Sequence, residues 1–157
     1  MPHNVKAPNT SESAGALAIE MYEALRAGAH VFGYTDVRVD NTIIRITDAA
    51  KGTVEGAITA LAEETIGKRL ARLKRGIDTQ QARLSKRVGK WFGNVNLTGH
   101  ELDPARAHYA AASNFLNDKK FGLAAQSVEA GYTQVEEVYA ETYEFDHGHR
   151  PVAPPIW

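Results

Sequence analysis

Leu70, Leu73, Ile77, Leu84, Val88 and Trp91 follow one another at spacings of 3, 4, 7, 4 and 3. Those intervals are helical, and at about 100° per residue the six side chains fall within about 60° of each other. Nine basic residues share the segment: Lys68, Arg69, Arg72, Lys74, Arg75, Arg83, Lys86, Arg87 and Lys90. Most of them project to the opposite side, Lys74 being an exception. A chain built around this segment must cover one face of a long helical stretch with other elements and leave a cationic face in water. Helix packing is the expected solution.

The same stretch holds half of the chain's 18 basic residues and a single acid, Asp78. It carries +8 and the remainder −9, a polarity hidden by the net charge of −1. Like charges this dense repel one another, so such a face is expected to sit opposite something anionic.

At 157 residues the chain has the length of one ordinary domain, and 43% apolar with 24% charged content is that of a soluble globular protein. No cysteine is present, which removes disulfides, thiolate metal sites and a cysteine nucleophile together. Residues 1–13 are polar and lack an apolar run, so no secretory signal is expected. No apolar run is long enough for a transmembrane segment. The expected location is cytoplasmic or within an assembled particle.

Residues 1–13 are expected to form a flexible arm, 14–145 a single helical domain, and 146–157 a Pro-rich C-terminal arm. Leu17, Met21 and Leu25 mark the apolar side of a helix over 14–27, capped by Ser11 or Ser13. Alternation through Val37, Val39, Thr42, Ile44 and Ile46 around Asp40-Asn41 predicts a small hairpin. Asp48 can cap a helix reaching Ile66, with Val54, Ile58, Leu61 and Thr65 on one face. Gly76 followed by Asp78-Thr79-Gln80-Gln81 resembles a C-cap and a capping box, which predicts a bent or broken helix there. Gly93 to Gly99 reads as a loop, and Asp103-Pro104 as the start of a helix. A helical hairpin follows, with Val128, Tyr132, Val135 and Tyr139 on its second arm. The expected fold is mainly α: a four- to five-helix antiparallel bundle with one small β-hairpin and extended N- and C-terminal arms.

Within the hairpin, small residues (Ala112, Ala124, Gly131) alternate with larger ones (Phe115, Phe121, Val128). Residues 105–136 thereby resemble one tetratricopeptide unit. His108 stands at the usual aromatic position and Glu136 at the usual proline, and no second copy is visible. The resemblance implies a helix–turn–helix module.

Catalytic chemistry is hard to place. Neither HExxH nor a phosphate-binding glycine loop nor a nucleophile elbow occurs. Glu141, His147 and His149 are the weak metal candidates, since imidazoles and a carboxylate suit a divalent ion. They share one helix end and tail, whereas metal sites ordinarily draw ligands from separate elements. Neither metal nor cofactor is expected, and the chain reads as non-enzymatic, with a small metal-dependent enzyme as an alternative.

The basic face admits four readings: a phosphate contact to nucleic acid, a membrane-surface helix, a docking face for an acidic partner, or a solvated face balanced by the chain's own acids. Six acids and no base between Glu129 and Asp146 favour docking, because a second copy can supply the counter-charge. The leading expectation is therefore a structural assembly protein, a homo-oligomer or a component of a larger complex such as a virion. It would dock through Arg69, Arg72, Arg75, Arg83, Lys86, Arg87 and Lys90, with Ile156 and Trp157 as interface anchors. Non-specific nucleic-acid binding by the same face is the alternative.

Overall fold

The computed structural model describes residues 5–6, 11–26, 36–39, 42–45, 51–90 and 96–153. Four helices make up most of it: α1 (Ser11–Arg26), α2 (Lys51–Ser85), α3 (Asp103–Asn117) and α4 (Phe121–His147). Short strands β1 (Val5–Lys6), β2 (Asp36–Val39) and β3 (Thr42–Arg45) form a sheet in the order β1-β2-β3. The buried residues described lie on the helices and in the stretch 97–102. The fold class is all-α with four helices.

This corrects the expected four- to five-helix antiparallel bundle with a small β-hairpin and two arms. Among the described residues there is no free-standing hairpin. A lone two-stranded hairpin is marginal in water; here β2 pairs with β1 in parallel (Val5↔Val37) and with β3 in antiparallel (Val37↔Ile44). α1 begins at Ser11 and α4 runs through His147, each reaching into a stretch expected to be an arm. The expected break at Gly76 is absent: α2 is continuous for 35 residues. Local cap chemistry lost to packing, since Leu73, Ile77 and Leu84 keep one phase across Gly76 and all three are buried. Gln80, part of the expected capping box, is buried among these apolar residues of α2. The expected cap at Asp48 and the turn at Asp40-Asn41 lie outside the described residues.

The chain divides into two compact units, residues 1–68 with 118–122, and 69–117 with 123–157. In the first, α1 buries Ala14, Ala18, Ile19 and Tyr22, leaving Leu17, Met21 and Leu25 half-covered. Small residues line the contact because the helices approach closely: a Cβ on Gly15 would overlap the Thr65 side chain. Thr65 Oγ1 donates to Leu61 O at 2.7 Å, which satisfies its buried hydroxyl. Phe121 is fully buried edge-on against Tyr22, with ring centroids 4.5 Å apart. The Gly122 N–H, unpaired within the first turn of α4, donates to Glu23 Oε1 at 2.9 Å.

The second unit packs Leu73, Ile77 and Leu84 of α2 against Leu97, Leu102, Ala105, Val135 and Val138. Burying aliphatic side chains of this size contributes about 1.5–3 kcal/mol each. Gly131 lets α4 close on Leu73, whose Cδ2 would stand 2.6 Å from a Cβ at that position. Before α3, Glu101 accepts bonds from the Thr98 and Gly99 N–H groups and from the Thr98 hydroxyl. Burial pushes the Glu101 carboxyl up, but those bonds together hold it below the usual range. The α3–α4 turn passes through Lys119 at φ 56°, a left-handed conformation.

Candidate docking surface

The basic segment separates into groups once its surroundings are known. The helix ends at Ser85, so Lys86, Arg87 and Lys90 sit in the turn that follows, with Gly89 at φ 79°. A left-handed glycine there is the usual way to stop a helix. Val88, expected on the buried face, is 42% exposed because the helical phase has already ended. Trp91 lies outside the described residues.

Lys68 pairs with Glu64 at 2.9 Å and Lys74 with Asp78 at 3.1 Å, each one helical turn apart and largely exposed. Pairs of this kind contribute little to stability. Arg72 lies over the Tyr132 ring, 5.6 Å from its centroid, and the Tyr132 hydroxyl donates to Arg69 O at 2.8 Å. Arg83 lies over Tyr139 at 4.7 Å and donates to Gln80 Oε1 at 3.4 Å.

Arg87 is bound in both directions. Its guanidinium donates to both carboxylate oxygens of Asp146, the Nε–Oδ1 bond being 2.8 Å, and also to the carbonyl of Arg83. The second contact places positive charge on the carbonyl end of α2, where the helix dipole favours it. Arg83 stands 3.9 Å from the same Asp146 carboxylate. The bond from Arg87 first, then the charges of Arg87 and Arg83, hold the Asp146 carboxyl below its ordinary range against a smaller opposing effect of burial.

Arg75, Lys86 and Lys90 are exposed and form no ion pair among the described residues. The acidic helix is divided in the same way. Arg150 engages Glu137 at 2.8 Å and Glu144 at 3.2 Å. Glu141 is half-buried, and its carboxyl is raised by burial first and then by Glu137, Glu101 and Glu144, with Arg150 opposing. Glu129 and Glu136 are exposed, without an ion pair among the described residues, and lie two turns apart on one side of α4.

Glu141, His147 and His149 are not brought together around a metal position. His147 stacks on Tyr143 with centroids 4.0 Å apart, and its Nδ1 donates to the Tyr143 carbonyl at 3.0 Å. His149 meets the same tyrosine edge-on, and its Nδ1 donates to Arg150 O at 3.0 Å. Among the described residues, no group of three or more His, Asp or Glu side chains is arranged to hold a metal ion. Ile156 and Trp157, the expected anchors, lie outside the described residues. No described helix is long and apolar enough to cross a membrane.

Sequence reasoning found the two charged faces but missed Asp146 as the partner of Arg87, and Tyr132 and Tyr139 as platforms for Arg72 and Arg83. The four-residue interval between Arg83 and Arg87 was the available signal, since it lets two guanidiniums converge on one carboxylate. No family model, curated protein or solved structure matches this chain, so the tetratricopeptide resemblance of residues 105–136 rests on the helical hairpin alone.

Proposed function

We propose that this chain is a non-enzymatic assembly protein that associates with copies of itself, the basic side of α2 and its following turn meeting the acidic side of α4 in the next molecule. One observation carries the reading: Arg75, Lys86 and Lys90 on one side, and Glu129 and Glu136 on the other, are exposed and have no ion pair among the described residues. Two different patches that fit each other make a heterologous contact, which builds rings or filaments. Electrostatic pairing of this kind sets orientation and encounter rate more than affinity, so the contact is weak and salt-sensitive.

Light scattering at low and at high ionic strength tests it. The expected mass exceeds the 17.1 kDa of one chain at low salt and falls toward it at high salt. Neutralising Arg75, Lys86 and Lys90 to Gln should give the high-salt mass at both. A chain that stays monomeric at low salt overturns the proposal. So does low-salt binding to duplex DNA that displaces self-association, the outcome expected of a phosphate-binding face.

A further inference from the structure

Asp146 meets two cations of the segment that the sequence marks as basic, Arg83 and Arg87. Arg87 presents its Nε and one terminal nitrogen side by side to the two oxygens of this carboxylate, the planar fork arrangement that suits carboxylates best. Arg83 adds a second cation at 3.9 Å. Both guanidiniums are held in place by groups other than Asp146. Arg83 rests on the Tyr139 ring and bonds to Gln80, while Arg87 is tied to the Arg83 carbonyl. Side-chain exposures of 27% for Arg83 and 17% for Arg87 show that most of the water around them has been replaced by protein. This is a formed carboxylate receptor. Its present occupant sits at the end of α4, one residue before the last helical position, followed by Gly148 at φ 79°.

We propose that the Arg83–Arg87 pair is a docking site for a carboxylate of a second copy of this chain, and that Asp146 occupies it in cis as an internal competitor. The proposal rests on the self-association reading above and supplies its regulation. The occupant in trans is an acidic side chain of the neighbouring α4, because Glu129 and Glu136 are the exposed acids of that helix without an ion pair among the described residues. While Asp146 is in place, Arg75, Lys86 and Lys90 are the cations of the basic segment without an ion pair among the described residues, and association is held weak. An intramolecular carboxylate competes at high effective concentration, so an incoming one must displace it. Docking two faces at once, rather than single encounters in solution, supplies that advantage.

Full-length Asp146→Asn, which keeps the shape and removes the charge, is compared with wild type by sedimentation at about 0.05 M and about 0.5 M salt, on either side of strong screening. The expected result is self-association tightened by about tenfold at low salt, the size of one charge-assisted contact made available, and lost at high salt. Adding Arg87→Gln to Asp146→Asn should return association to the wild-type level or below. A lower thermal midpoint with no gain in association would show that Asp146 only ties two helix ends together, and the proposal fails. It fails also if Asp146→Asn binds inorganic phosphate or DNA more tightly while self-association is unaltered. Wild type and Asp146→Asn both monomeric at low salt would instead remove the self-association reading itself.

Discussion

Glu141 carries a charge that its surroundings disfavour. Burial raises its carboxyl, and Glu137, Glu101 and Glu144 raise it further, against the single opposing cation Arg150. For an acid with a raised folded value, the folded chain holds a proton that the unfolded chain has released. Stability therefore falls as pH rises from the unfolded carboxylate range, about 4, through the folded value. Glu141→Gln removes that cost. It should raise stability at neutral pH by less than about 1 kcal/mol, read as a higher thermal midpoint, because the side chain is still partly screened by water. Below the unfolded range both forms are neutral and the gain should vanish; a gain that persists there points to packing rather than charge. Gly131 poses a steric question at the same scale. A methyl group there stands 2.6 Å from Leu73 Cδ2 inside a packed core. Gly131→Ala should cost about 1–3 kcal/mol by overpacking, despite the better helix propensity of alanine, as read from chemical denaturation.

At the level of elements, α2 shows what local signals could and could not decide. The apolar interval pattern from Leu70 to Leu84 was legible and its residues are buried. The Gly76–Asp78 cap pattern was also legible, yet it describes a local preference of about 1 kcal/mol, which several buried aliphatic side chains in one phase outweigh. In α1 the reading from large residues chose the wrong side. Leu17, Met21 and Leu25 are half-covered, while the line Ala14, Ala18, Tyr22 is buried, because Gly15 brings the helix against Thr65. Small residues at four-residue spacing were the signal, and their low hydrophobicity concealed it. Continuity of α2 has a direct check at Gly67, which lies mid-helix with open space where a Cβ would go. Gly67→Ala should stabilise the protein by about 0.5–1 kcal/mol, the ordinary gain in a helix interior. No gain would indicate that the helix is interrupted there in solution.

For the molecule as a whole, segregation of charge was plain in the sequence, but the counter-ion of its strongest pair was not, since Arg87 and Asp146 are 59 residues apart. Tertiary structure alone shows which cations are already engaged and which have no ion pair among the described residues. The two exposed patches being different, association through them has a direction, and this can be separated from a symmetric dimer. One variant carries Arg75→Gln, Lys86→Gln and Lys90→Gln, and keeps its acidic patch. A second carries Glu129→Gln and Glu136→Gln, and keeps its basic patch. Neither variant alone retains a complementary pair, so each should sediment as a single chain at low salt. Mixed, they retain one working contact between them and no means of extending it. The mixture should therefore stop at a two-chain species, whereas wild type continues to rings or longer chains under the same conditions. A symmetric interface would behave differently, because a basic patch meeting its own copy, or an acidic one, gains nothing from the mixture. If either variant alone associates as strongly as wild type, the patches do not carry the contact. If the mixture grows beyond two chains, a further surface must join them.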